Sequence, residues 1–402
     1  VRKCFQVAGL MYGDEGKGSV VDALVRHSKA DLVVRYNGGP QAGHNVVTPE
    51  GHHHCFSQFG SGTFVPGVRT HLSRFMLVNP ANMNREEAHL CQLGVRDAYD
   101  RTSVSENSLI VTPYQAAVNR IQLLLDGRHN SCGMGIGVAV SNHLRYGDNV
   151  LFAGDLRNGK KAWEKIYFLR EVSRLDAQSI VGSWLSKKSI STDVYDAVND
   201  ELRGLVSYLR VESDYELMLS WAKKVRIVSD AEEKDILRSS DVAVFEGAQG
   251  VLLDEVHGEE GFNTWSNCTF FNADELVKGL LPEVFRIGVV RMYLTRHGDG
   301  PLRGEDKMLD SLYPEMHNED CGRQGKFRRA HFDFELLKKS LTIVGGVDYL
   351  AVNHLDYPQL RSGFLFMLGE AFEKKILIRG YGPTALNKRF TEVHEANAVL
   401  IN

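Results

Sequence analysis

Gly9-Leu10-Met11-Tyr12-Gly13-Asp14-Glu15-Gly16-Lys17-Gly18-Ser19 is the stretch that decides the fold. It follows an apolar run, Cys4 to Ala8, that reads as a buried strand, and it precedes Val20 to Val25, which reads as the opening of a helix. A strand feeding a glycine loop that opens a helix is a phosphate site. Glycines let backbone N–H groups close on the anion, and the helix dipole favours negative charge. Lys17 adds a full positive charge. The spacing departs from the usual Gly-x-x-x-x-Gly-Lys-Ser/Thr, because Met11 stands where the first glycine belongs and an acidic pair sits inside the loop. A carboxylate beside a bound triphosphate must hold a metal or act as a base, since unpaired it would repel the ligand.

Composition narrows the function classes. The chain has 402 residues, 43% of them hydrophobic, enough for one large core or two unequal domains. A net charge of −4 without a basic block gives no electrostatic footprint for nucleic acid, so a small charged ligand fits better. The six cysteines are scattered without paired spacing, which predicts reduced thiols and a cytoplasmic setting. No apolar run reaches membrane length, and no signal sequence opens the chain.

Onward from the loop, Asp31 to Tyr36 predicts a second strand ending in Asn37-Gly38-Gly39-Pro40-Gln41-Ala42-Gly43-His44-Asn45, a polar loop suited to the carboxyl edge of a parallel sheet. His44 is the candidate there, against the plainer reading of a loop histidine with one hydrogen bond. His52-His53-His54 reads as a solvated hairpin, since adjacent histidines alternate direction. Arg74–Asn79 predicts a strand, Asn84–Leu93 a helix, Ser108–Val111 a strand and Gln115–Leu125 a helix, an alternation that argues for α/β. Ser131 to Gly137 is a second glycine loop, equally readable as a flexible turn. From Trp163 to Leu237 the periods are helical, with Leu202, Leu205, Tyr208 and Leu209 on one face.

The apolar run Val242–Phe245 returns to strand and ends in Glu246-Gly247-Ala248-Gln249-Gly250; the Gln249 amide either reads a heterocycle edge or marks an ordinary turn. A polar loop through His257, Thr264 and Asn267 follows, then a strand over Arg286–Leu294 closing in Thr295-Arg296-His297-Gly298-Asp299-Gly300-Pro301. Gly322 to Arg329 concentrates four cations, which either grip anions or face solvent. A last parallel strand, Tyr349–Val352, delivers Asn353-His354-Leu355-Asp356, where a carboxylate could read guanine. Ile376–Ile378 and Gly380-Tyr381-Gly382-Pro383 make a final strand and loop.

Together these blocks resemble the adenylosuccinate synthetase family. The matching segments are Gly13 to Gly18; Asn37-Gly38-Gly39 through Ala42-Gly43-His44; Phe245 to Gly250 with Leu252-Leu253-Asp254 and His257-Gly258; Thr295-Arg296 with Gly298 and Gly300-Pro301; and Leu355-Asp356 with Gly382-Pro383. The resemblance implies one synthetase-like domain over residues 1–402: a P-loop-like, mostly parallel central sheet flanked by helices, with smaller accessory segments and a helical subdomain at about residues 155–238. It implies a carbon–nitrogen ligase that uses GTP (or ATP) and magnesium. The 6-oxo group of a purine nucleoside monophosphate, inosine monophosphate, attacks the γ-phosphate, and the amine of aspartate displaces the phosphoryl group. A homodimer is implied, with neither nucleic acid nor membrane as partner.

By that resemblance Asp14 takes the N1 proton and lies on magnesium with the Gly43 carbonyl, His44 acts as the acid, and Lys17 neutralises charge in transfer. Gln249 touches the purine. Gly13, Glu15, Gly16, Gly18, Ser19, Asn37, Asp356, Gly382 and Pro383 line the nucleotide, while Ser131, Cys132, Thr264, Arg323, Lys326 and Arg328 hold substrate. Several positions depart from the family pattern. Met134 replaces an arginine that helps hold the amino-acid carboxylate, and Cys132 replaces a phosphate-contacting threonine. An arginine that reaches a partner subunit falls near Arg145 and Tyr146, and the aspartate loop is rearranged over Cys321–Arg329. Three readings follow: the synthetase itself; a paralogue acting on another 6-oxopurine nucleotide such as dGMP or joining another amine; and a catalytically silent nucleotide-binding regulator. Asp14 speaks against the dGMP version, whose viral branch tends to replace the loop aspartate. Asp14, Lys17 and His44 together speak against a mere binder, which needs no acid or base.

Overall fold

The computed structural model describes residues 1–126, 131–186, 191–280, 282–315, 325–372 and 375–391. Strand Lys3–Gly9 is buried along almost its whole length and lies between Val242–Glu246 and Glu283–Arg291, both parallel to it. Burial on both faces is what makes such a central strand a continuous apolar run. On one side the sheet continues through Leu32–Arg35, Arg69–Leu72, Thr102–Ser105 and Arg226–Val228. On the other it continues through Tyr349–Asn353, Ile376–Gly380 and Lys388–Phe390, giving ten strands. Only the Lys388–Phe390 edge is antiparallel to its neighbour. Helices cover both faces, so the α/β expectation holds.

Two strands of this sheet carry buried polar side chains and were not expected. Arg69-Thr70-His71-Leu72 and Thr102-Ser103-Val104-Ser105 bury polar side chains that satisfy one another. His71 faces Ser103 Oγ at 2.9 Å and Glu233 Oε1 at 2.9 Å. The strand expected over Arg74–Asn79 shrinks to Leu77–Val78, paired with Leu109–Ile110 outside the main sheet. The strand expected over Arg286–Leu294 divides at Met292, and Tyr293–His297 turns away to pair antiparallel with Phe327–His331.

The stretch of helical periods forms helices Gly159–Leu185, Thr192–Val206, Tyr208–Lys224 and Asp230–Ser239. Leu205 is buried, but Tyr208 and Leu209 are exposed because the chain breaks at Ser207, which caps the next helix. The histidine hairpin forms, with His44–Val47 against His53–Phe56. It is not wholly solvated: His54 is buried and meets His89 Nδ1 at 2.7 Å.

The carboxyl edge of the sheet is anchored by Glu246, the last residue of its strand and fully buried. Its carboxylate accepts hydrogen bonds from the Ser61 hydroxyl and, at 2.9 Å, the Ser61 amide, and it faces His44 Nδ1 at 2.5 Å. Burial alone would lift its pKa, but the Arg35 charge and bonding to His44 and Ser61 outweigh that and hold it at about 2 against an ordinary 4.5. Because the folded-state pKa is depressed, the stability Glu246 contributes is complete above pH about 4.5 and drains away as pH falls toward 2. Urea unfolding at stepped pH should show this acid-side loss in the parent chain and a flattened one in Glu246→Gln; equal acid slopes would contradict it.

Candidate active site

The carboxyl ends of the central strands open on one cleft of about 1490 Å³, the position where open α/β sheets bind ligands. The glycine loop forms its floor. Gly13 and Gly16 take φ 91° and 83°, and Asp14, though not glycine, takes φ 59°. Helix Lys17–Ser28 begins straight after Gly16, and Gly16 to Ser19 line the cleft, where first-turn amides lack intrahelical acceptors. Gly18 has to be glycine: a Cβ there would come within 2.9 Å of the His44 Cβ.

Glu15 behaves differently from the nucleotide ligand expected. Its carboxylate turns inward, accepting from the Met11 and Gly13 amides at 3.0 and 2.9 Å and pairing with Lys17 Nζ at 2.8 Å. It is buried and absent from the cleft wall. Asn37 is also a brace. It accepts from Ala248 N at 2.7 Å and donates to the Asn267 carbonyl at 2.8 Å, fixing the loop that carries Gln249.

Asp14, Lys17, Gly43, His44 and Gln249 all line the cleft. Burial raises the Asp14 carboxyl above the ordinary carboxylate range, opposed by His297 and Lys17. Burial lowers the His44 imidazole, opposed by Glu246. With Nδ1 on Glu246, Nε2 is the ring nitrogen left for the cleft. Gln249 adopts φ 57°, and both ends of its carboxamide are buried without a partner among the described residues. Buried amides are ordinarily paired, so this one is shaped for a ligand.

At the far end, Asp356, Gly382 and Pro383 line the cleft with Lys388. The Lys388 ammonium donates to the Gly382 carbonyl at 2.5 Å, and burial pulls its pKa down to about 8 despite Asp356 nearby. Gly13, Gly16, Gly18, Ser19, Ser131, Cys132, Met134 and Thr264 also line the cleft.

Two expected substrate residues lie elsewhere. Arg328 donates to Glu305 at 2.8 Å and to the Gly300 carbonyl, and Lys326 is exposed; neither lines the cleft. Arg323 lies outside the described residues. Arg145 is exposed and paired with Asp176 at 3.4 Å. Conversely, Gln41, Arg291, His297 and Lys388 line the cleft without having been singled out. Gln41, with its amide unpartnered among the described residues, sat in a quoted loop. Arg291 looked like strand interior. Lys388 carried no signal.

A family model described as adenylosuccinate synthetase matches residues 6–361. The adenylosuccinate synthetase of Herminiimonas arsenicoxydans is 31% identical over 87% of this chain and 76% of its own. That of Dehalococcoides mccartyi strain BAV1 is 30% identical over 77% and 68%. Among solved structures, the fully ligated adenylosuccinate synthetase of Plasmodium falciparum superposes with TM-score 0.75 at 18% identity, over 96% of this chain and 99% of that one. The succinoaminodeoxyadenylate synthetase of cyanophage S-2L, bound to dGMP and to dATP as energy donor, superposes with TM-score 0.68 at 19% identity, over 97% and 96%. The structural matches carry the fold; the family model and the sequence relatives carry the lineage, and they place this chain in the adenylosuccinate synthetase family of carbon–nitrogen ligases.

Proposed function

We propose that this chain is a GTP-dependent ligase that phosphorylates O6 of inosine monophosphate and replaces the phosphoryl group with the amine of aspartate, giving adenylosuccinate. The observation that carries this reading is the convergence of Asp14, Lys17 and His44 with the unpartnered Gln249 amide on one cleft. A phosphate-binding loop alone would serve any nucleotide binder. A base, an acid and a purine-edge amide beside it suit transfer to a purine oxygen.

In this reading Asp14 accepts the N1 proton as O6 attacks the γ-phosphorus. Its raised pKa makes it a stronger base than an exposed carboxylate. His44 donates from Nε2 to phosphoryl oxygens on departure. Anionic oxygens beside that nitrogen favour the protonated ring, and Glu246 behind Nδ1 stabilises the imidazolium. Lys17 and the first-turn amides meet the charge that spreads over the equatorial oxygens.

Magnesium belongs to this reading. Asp14 and Gly43 both line the cleft, and Asp14 is about a quarter exposed, 24%. No group of three metal-binding side chains exists among the described residues. That donor set suits an ion held by one or two carboxylates plus substrate phosphates rather than by a protein cage. When bound, it would neutralise charge shared by the β- and γ-phosphates.

Asp356 and Lys388, which both line the far end of the cleft, support guanine over adenine, since a carboxylate can accept from N1–H and the exocyclic amine and an ammonium can donate to O6. Met134 and the outward Arg328 leave the aspartate carboxylates to groups other than those two. A homodimer is part of the proposal. A cytoplasmic setting is part of the proposal, in keeping with the scattered spacing of the six cysteines in the sequence.

Phosphate release from GTP, measured with inosine monophosphate plus aspartate against a GTP-only blank, should appear only with both substrates; release with dGMP alone as acceptor would overturn the choice of purine. Chelation of divalent cations should abolish release, and magnesium should restore it. Asp14→Ala should lose about 10²–10⁴-fold in kcat with KM for GTP little changed; parental turnover would remove Asp14 from the chemistry. His44→Asn should likewise lower kcat by about 10²-fold and alter the pH profile of kcat, and an unaltered profile would argue against the acid role.

A further inference from the structure

His297 is the last residue of strand Tyr293–His297 and sits opposite Phe327 in that antiparallel pair. Its ring packs on Phe327 at 5.0 Å between centroids, and the next amide, Gly298, donates to the Lys326 carbonyl at 3.1 Å. On its other side, Nε2 stands 3.4 Å from Asp14 Oδ2. Nδ1 is buried without a partner among the described residues, so the one polar contact of this ring is toward Asp14.

The Asp14 backbone is well fixed. Its left-handed φ of 59° is disfavoured for a residue with a Cβ, and its carbonyl accepts from Arg291 Nη1 at 2.8 Å. The carboxylate is less constrained. Among the described residues, His297 is the one side chain within ion-pair distance of it. A base must come within hydrogen-bond reach of the proton it takes, and a misplacement of roughly 1 Å costs about a hundredfold in rate.

We propose that His297 is a positioning residue that sets the direction of the Asp14 carboxylate and ties it to the hairpin Tyr293–His297 with Phe327–His331. This rests on the ligase reading for its consequence and on geometry for its cause.

The test compares His297→Leu, which keeps apolar packing on Phe327, with His297→Gln, which keeps an N–H donor; urea unfolding checks that each is folded. Expected is a fall of about ten- to a hundredfold in kcat for His297→Leu with KM for GTP within about twofold, and recovery of most of that loss in His297→Gln. Unchanged kcat in His297→Leu, or a loss that Gln does not recover, overturns the proposal. Crystal structures decide it independently of turnover: Asp14 should leave its His297-facing orientation in the Leu variant and keep it in the Gln variant, and an Asp14 that stays put in both overturns the positioning role. A parent enzyme silent with every 6-oxopurine nucleotide overturns the ligase reading and leaves the Asp14 orientation to decide this one.

Discussion

The inward turn of the Glu15 carboxylate is the constraint on which the site depends. By accepting from two loop amides and from Lys17, it curls Leu10 to Gly16 into a single shape. Breaking a buried pair of this kind by removing one partner costs about 3–5 kcal/mol, because the other charge is left unpaired. The surroundings are fitted to that curl. A Cβ on Gly9 would lie 2.3 Å from Glu15 Oε2, and one on Gly250 would lie 2.2 Å from the Met11 carbonyl. Thr295 Oγ1 donates to the Gly13 carbonyl at 3.3 Å, and Asn353 Nδ2 donates to the Glu15 carbonyl at 2.7 Å. Residues at or beyond the ends of several strands thus hold one loop.

A second buried carboxylate does the matching work for the imidazole. Glu246 stays ionised in the interior because Arg35, His44 and Ser61 surround it. It thereby fixes which nitrogen of His44 faces the cleft. The acidic groups near the nucleotide loop divide by environment: Glu15 and Glu246 are committed to the protein, while Asp14 opens on the cleft and has its pKa raised by burial. Of these three, Asp14 is the carboxylate that lines the cleft.

Much of this was legible in the residues. The loop and the central strands around it could be read because buried parallel strands are apolar runs, and several of them run into glycine-containing turns. Thr70, His71 and Ser103 were illegible as strand for the opposite reason: their burial is made affordable by partners distant in sequence, such as Glu233, and no local pattern encodes that. The inward turn of the Glu15 and Asn37 side chains was not legible, because spacing places a side chain in a loop without saying which way it turns. Arg328 was read as a ligand for its charge, yet Glu305 and the Gly300 carbonyl already satisfy it. His297 was quoted within its loop, but its meaning arises only where Asp14 is brought beside it.

In the proposed reaction the γ-phosphoryl group of GTP moves to a purine oxygen in this cleft before any amine arrives. Positional isotope exchange in GTP carrying a heavy-oxygen label between the β- and γ-phosphorus tests it most directly, with inosine monophosphate present and aspartate left out. The label is expected to scramble into the non-bridging β positions only when inosine monophosphate is added. A label that stays in the bridge under those conditions, in a preparation that still forms adenylosuccinate once aspartate is supplied, would contradict it.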